Sequence, residues 1–249
     1  MATAAVFSEI EDRLEAQSAR LEAASPQHIL RWAMETYGDK LTMSTAFGTA
    51  GCCLIDMIAR LRDETGLTQP DIFNLETGYQ FPETLELRER LREKYDLEIR
   101  LVSAVETIEE MEARLGGPIY GTQPNRCCHL RKVVPLEKTV ENFDAWISGI
   151  RRDQTPERST TPIVGRDARF DMVKISPLAN WSKSQVDEYI RQNDVPINPL
   201  HEQGFLSIGC WPCTRAVGQN EDERAGRWAG QEKRECGLHW ATNGATVKV

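Results

Sequence analysis

The sequence predicts an α/β protein, a parallel sheet with helices on both faces, and three observations carry that expectation. Short apolar runs of strand length alternate with longer amphipathic segments from Lys40 onward. Gly-bearing turns such as Phe47-Gly48 and Thr77-Gly78 follow the strand-like runs, where a strand hands over to a helix. At 249 residues and 28.2 kDa the chain can bury one large core without disulfide staples.

Phe7, Ile10 and Leu14 form a helical stripe, and Ser25-Pro26 starts a second helix through Ile29, Leu30 and Ala33, so residues 8–36 read as two helices. Lys40 to Ala46 fits a buried strand, and Leu54, Ile55, Met57, Ile58 and Leu61 mark the helix after it. Asp71 to Leu75 predicts a second strand, Pro82 to Tyr95 a charged amphipathic helix, and Glu98 to Val102 a third strand. A helix over Thr107 to Leu115 precedes a loop, and Cys127 to Val140 is helical again. Asp144 to Ile150 is strand-like, Arg151 to Arg169 a long polar loop of the kind that forms a lid, a binding loop or a disordered segment, and Met172 to Ile175 a short strand. Ser182 caps a helix to Asn193. Beyond Pro199 periodicity fades into Gly, Cys, Trp and charge.

Composition narrows the function. A net charge of -8 and a pI near 5.2 argue against nucleic acid or an anionic membrane as partner. No apolar run approaches the roughly 18 residues of a membrane span, and the acidic N-terminal stretch does not read as a signal peptide, so a cytoplasmic protein is expected. There, seven cysteines point to metal binding or catalysis rather than disulfides. Basic residues cluster at Arg131, Lys132, Arg151, Arg152 and Arg158, and again around Arg215, Arg224 and Arg227, which suits a small anionic ligand.

Ser44-Thr45-Ala46-Phe47-Gly48-Thr49 lies where a strand meets a helix, a place suited to phosphate. Leu75-Glu76-Thr77-Gly78 ends the next strand, so both loops are expected on the carboxyl edge of the sheet. Cys127-Cys128 and the pair Cys210 and Cys213 suggest a metal centre. Adjacent helical cysteines point about 100° apart, which suits the spread corners of an iron-sulfur cubane better than one zinc ion. Cys52 and Cys53, beside Leu54 and Ile55, read as packing residues. Cys236, between Lys233-Arg234-Glu235 and Gly237-Leu238-His239, is a candidate nucleophile whose cationic neighbours favour the thiolate.

Taken together, Leu75-Glu76-Thr77-Gly78, Phe81-Pro82-Glu83-Thr84, Cys127-Cys128-His129-Leu130-Arg131-Lys132, Gly149-Ile150-Arg151-Arg152-Asp153-Gln154, Ser207 to Arg215 and Glu235 to His239 resemble the assimilatory sulfonucleotide reductases. Within that family the chain is most similar to the iron-sulfur adenosine 5'-phosphosulfate reductases, from about Leu41 to His239. The resemblance implies an adenine-nucleotide alpha-hydrolase-like fold and reduction of adenosine 5'-phosphosulfate to sulfite and AMP. It implies one 4Fe-4S cluster on Cys127, Cys128, Cys210 and Cys213, and Cys236 as the nucleophile whose thiosulfonate is released by thioredoxin or a glutaredoxin-like dithiol. Substrate binding is expected at Ser44, Phe47, Gly48, Thr49, Leu75, Thr77, Gly78, Lys132, Gly149, Arg151, Arg152, Arg158, Arg224, Arg227 and His239. The expected organisation is N-terminal helices over 1–37, an α/β nucleotide-binding core over 38–205, and a C-terminal segment over 206–249 that carries the nucleophile and forms one domain with the core. A homo-oligomer is compatible with this.

The phosphate loop is nearer to the form of the 3'-phosphoadenosine 5'-phosphosulfate reductases, so that substrate is an alternative. A zinc-stabilised nucleotide-binding module would leave Cys236 idle. An RNA-thiolation enzyme should carry a Ser-Gly-Gly-x-Asp-Ser loop and a more basic surface.

Overall fold

A computed structural model of the chain describes residues 4–231 and Lys233. In chain order the regular elements are α1 (Ala4–Leu21), α2 (Pro26–Tyr37), β1 (Leu41–Ser44), α3 (Thr49–Thr65), β2 (Asp71–Glu76), α4 (Pro82–Tyr95), β3 (Ile99–Ser103) and α5 (Ile108–Leu115). There follow α6 (Pro124–Cys128), a π-helical turn (His129–Val133), α7 (Val134–Val140), β4 (Ala145–Ile147), β5 (Val164–Asp167), β6 (Met172–Ile175) and α8 (Lys183–Asn193). Six strands form a sheet in the order β3-β2-β1-β4-β6-β5, with β1 parallel to β4, β4 parallel to β6, and β5 antiparallel to β6.

The chain divides into two compact units: residues up to 45, 49–72 and 142–195 form one, and 46–48, 73–141 and 196 onward form the other. In the first, Ser25 accepts from His28 N at 3.2 Å and Pro26 opens α2, so the helix starts where the sequence predicts. That helix buries Ile29, Leu30, Ala33 and Met34. The α3 helix is buried along most of its length, Cys52 and Cys53 included, in agreement with their reading as packing residues. Its Cys53 thiol contacts Val186 O on α8 at 3.8 Å, and the Tyr189 hydroxyl donates to the buried Asp56 carboxylate at 2.5 Å. A capping box between Ser182 and Gln185 starts α8.

In the second unit, Pro82 begins α4 and left-handed Asp96 ends it, while Thr107 and Glu110 form the capping box of α5. Tyr79, Met111, Ile119 and Cys127 make a buried cluster with Ile108, Leu115 and Tyr120 against it. Gly78 has φ +78°, and a Cβ there would sit 2.4 Å from Ile108, so the turn after β2 requires glycine.

Three expectations change. The long loop over 151–169 contains strand β5, whose Gly165-Arg166-Asp167 shows no apolar alternation because pairing with β6, not side-chain pattern, makes it a strand. The predicted helix over 127–140 is interrupted by the π turn. Strand β4 ends at Ile147; Ser148 N still donates to Ile175 O on β6 at 2.8 Å, and Gly149 and Ile150 lie beyond the strand. Among the described residues, no helix is long and apolar enough to cross a membrane.

Candidate cysteine-lined active site

Two segments far apart in sequence meet in the second unit. Cys127 and Cys128 close α6, and Cys210 and Cys213 bracket a 3-10 turn. Cys210 is the extended N-cap of this turn and Cys213 its last residue, so the C-x-x-C spacing spans one tight turn. The turn is held by a bridge between Cys210 and Gln80, by Trp211 N donating to Tyr79 O at 2.8 Å, and by Cys213 N donating to Cys210 O at 3.0 Å. All four cysteines line one cavity, together with Thr77, Lys132, Arg227 and the aromatic walls Tyr79, Tyr120 and Trp228. Among the described residues, no group of three or more His, Cys, Asp or Glu converges as a site for a metal ion.

Burial, then the neighbouring Cys128, Cys210 and Cys213, push the Cys127 thiol up to about 12, against the pull of Lys132. Burial with Cys210 and Cys128 raises Cys213 to about 11, opposed by Lys132 and Arg227. Thus the four sulfurs feel one another, and both cations feel the sulfurs. Lys132 lies within the π turn His129–Val133 that follows Cys128, and it lines the same cavity as the cysteines.

Neighbouring Arg131 is a structural cation, only 5% exposed. Its Nε donates to Thr77 O at 2.9 Å and its Nη1 to Glu106 O, which ties the π turn to the Thr77-Gly78 turn. The Thr77 hydroxyl lies 3.3 Å from Cys210 Sγ, and Tyr79 OH donates to Glu112 at 2.7 Å. Arg227 stacks 4.5 Å from the Trp228 ring and lies against bare Gly209, whose Cβ would fall 2.3 Å from its guanidinium. Arg224 lies in the turn Asp222 to Arg227, where its N donates to Asp222 Oδ1 at 2.8 Å.

The first unit holds the predicted loop 149–158. A Cβ on Gly149 would lie 3.5 Å from Gly51 N, so this loop runs against the first turn of α3. Arg151, 4% exposed, is held by Asp153 at 2.9 Å, and Asp153 also accepts from Lys183 N at the start of α8. Buried Arg158 donates to Gln154 Oε1 at 2.6 Å. Arg152 forms a two-armed ion pair with Glu22 and donates from Nε to Thr161 O at 2.8 Å. Ser44 ends β1 and Thr49 begins α3. In the second unit, Phe47 is buried with φ +56°, followed by Gly48, and Leu75 is buried within β2. Cys236 and His239 lie outside the described residues.

Sequence reasoning missed Tyr79, Tyr120 and Arg131 as parts of the cysteine site, because single aromatic or basic residues carry no spacing signal. Among the described residues, the Ser148 and Ser176 hydroxyls are buried without a hydrogen-bond partner, directly after the paired residues Ile147 and Ile175.

Residues 40–216 match the family described as Phosphoadenosine phosphosulfate reductase domain. The adenosine 5'-phosphosulfate reductase of Halalkalibacterium halodurans is 45% identical over 220 residues, covering 88% of this chain and 93% of that protein. The phosphoadenosine 5'-phosphosulfate reductase of Gloeobacter violaceus is 41% identical over 229 residues, covering 91% and 93%. Among solved structures, the phosphoadenylyl-sulfate reductase of Candida auris in a phosphate complex superposes with a TM-score of 0.72 at 28% identity, covering 83% of this chain and 97% of that one. The FMN adenylyltransferase of Candida glabrata, 18% identical with a TM-score of 0.56 over 88% and 76% of the two chains, shares the fold. By its matched length and by these relatives, the chain belongs to the phosphoadenosine phosphosulfate reductase domain family.

Proposed function

We propose that this protein reduces adenosine 5'-phosphosulfate to sulfite and AMP, with Cys236 as nucleophile and a dithiol protein of the thioredoxin or glutaredoxin type as reductant. The observation that carries the reading is the single cavity lined by Cys127, Cys128, Cys210 and Cys213 with Lys132 and Arg227, in a chain 45% identical to a relative named for that activity.

In this reading the Cys236 thiolate attacks the sulfate sulfur. An S–S bond forms, the S–O bond to the nucleotide breaks, and AMP leaves with the electron pair. A dithiol thiolate then attacks Cys236 Sγ, and sulfite leaves with its pair. The second thiol resolves the mixed disulfide, so two electrons pass from the dithiol to sulfur. A thiolate meeting an anionic sulfate at about 4 Å is opposed by roughly 4 kcal/mol at an effective dielectric near 20, about a thousandfold in rate. Lys132, Arg224 and Arg227 are the cations assigned to offset it. Lys233 donates to Asn125 Oδ1 at 2.5 Å, two residues before Cys127.

A 4Fe-4S cluster is assigned to Cys127, Cys128, Cys210 and Cys213 on the chemistry of their all-sulfur donor set, although among the described residues they share a cavity without being drawn together as metal ligands. Four buried or half-buried thiols share one cavity, burial and then mutual repulsion raise two of them, and a Thr77 hydroxyl stands beside a third. Such a cluster would supply fixed negative charge and rigidity next to Lys132.

Anaerobically purified protein should carry about four iron and four sulfide per chain and release sulfite from adenosine 5'-phosphosulfate with thioredoxin. Cys236→Ser should form no thiosulfonate; if it still does, the mechanism is wrong. The 3'-phosphorylated nucleotide is the second reading, favoured by the Ser44 to Thr49 loop and by the Gloeobacter relative. Comparing kcat/KM for both nucleotides decides between them.

A further inference from the structure

The loop between β4 and β5 has little regular structure of its own, only 3-10 turns at Arg152–Gln154 and Pro156–Arg158. Its shape must come from anchors. Arg152 N donates to Ala179 O at 2.9 Å, and the Arg152 side chain crosses the loop to Thr161 O at 2.8 Å. The two remaining arms of that guanidinium grip the Glu22 carboxylate, just past the end of α1, with Nη2 to Oε2 at 2.9 Å. Glu22 is itself fixed, because its carbonyl accepts from Asn180 Nδ2 at 2.6 Å. Arg151 and Arg158, both buried, project from the same short stretch and are held by Asp153 and Gln154. Each guanidinium nitrogen of Arg152 therefore meets a protein acceptor, which ties the loop to the end of α1.

We propose that Glu22 is a positioning residue for sulfonucleotide binding: through Arg152 it sets the loop that presents Arg151 and Arg158 to the anionic substrate. This rests on the proposed function, in which those two arginines bind the nucleotide. The pair is partly solvent-exposed, 45% at Glu22 and 28% at Arg152, so its loss should leave the fold intact and loosen only the loop. The pair lies within 130 residues of chain but inside one compact unit, so the effect is local.

The test uses the full chain and steady-state sulfite release. Glu22→Gln should raise KM for the sulfonucleotide about fivefold, with kcat within twofold and Tm within a few degrees. The double variant Glu22→Gln with Arg152→Ala should be no worse than Arg152→Ala alone, because both changes remove one brace. If instead their effects multiply, or if Glu22→Gln leaves KM unchanged while Arg151→Ala and Arg158→Ala raise it, the positioning role is overturned. Unchanged KM in both Arg151→Ala and Arg158→Ala would overturn the substrate-binding reading of the loop itself, and the positioning role with it.

Discussion

The Thr77 hydroxyl lies 3.3 Å from the Cys210 sulfur, a contact between side chains 133 positions apart. Thr77 Oγ1 already accepts from Tyr79 N at 3.2 Å, so its proton is available to a Cys210 thiolate. The turn after β2 and the C-x-x-C segment are thereby joined at a sulfur. Replacing Thr77 by Val keeps the shape and removes the donor. A hydrogen bond of this kind is worth about 1 kcal/mol, so Thr77→Val should lose iron to a chelator severalfold faster, with Thr77→Ser near wild type. Iron release followed by absorbance measures it.

Lys132 lowers both Cys127 and Cys213 by its charge while facing the same cavity. Lys132→Ala should cut kcat/KM by about a hundredfold, more than a surface charge would. Lys132→Arg should recover part of the loss. Turnover unaffected by Lys132→Ala would remove this lysine from the chemistry.

Two glycines make opposite predictions. A Cβ at Gly209 would strike the Arg227 guanidinium at 2.3 Å, the movable end of a side chain, whereas at Gly226 it would meet the Arg215 carbonyl at 2.2 Å, which is backbone. Gly209→Ala should therefore lower activity at nearly unchanged Tm by displacing Arg227. Gly226→Ala should lower Tm by several degrees, consistent with a loss of about 2 kcal/mol for a chain of this size. Thermal scans beside activity assays separate the two.

Burial, then the negative charge of Asp56 and Asp187, raises the Cys53 thiol to about 12. A raised thiol stays protonated until pH approaches that value, so at pH 9 only about a thousandth of Cys53 is thiolate. Native protein treated with iodoacetamide between pH 7 and 9 should show Cys53 unmodified by mass spectrometry, and denatured protein should show it alkylated. Modification in the native state at wild-type rates for a free thiol would contradict its place in the α3 and α8 contact.

The Glu22 carboxylate is held below the ordinary 4.5 by its hydrogen bonds with Arg152. A depressed carboxylate contributes its stabilisation above the unfolded value and loses it as pH falls through the folded one. The brace is thus fully formed from pH 6 to 9, and the KM effect of Glu22→Gln should be constant over that range.

Much of the fold was legible because its signals are local. Ser25-Pro26, Pro82 and the Ser182 capping box mark helix starts by their own chemistry, and the observed helices begin there. Strand β5 was not legible, since Gly165 to Asp167 becomes a strand only by pairing with β6. At the site, paired cysteines announce themselves by spacing, while the carbonyl partner of Arg131 and the carboxylate partner of Arg152 lie far off in the chain and leave no local signal. A guanidinium in sequence does not say what it holds.

By itself the sequence determined the alternation of strands and helices, the two cysteine pairs with a separate Cys236, and a family resemblance carried by short motifs, because each depends on residues close together in the chain. Only the tertiary structure decided that Cys127, Cys128, Cys210 and Cys213 share one cavity. It also decided that Lys132 and Arg227 face that cavity, and that Arg152 pairs with Glu22, 130 positions away. Those outcomes depend on long-range packing and on which acceptor each buried donor finds, and no local pattern encodes either.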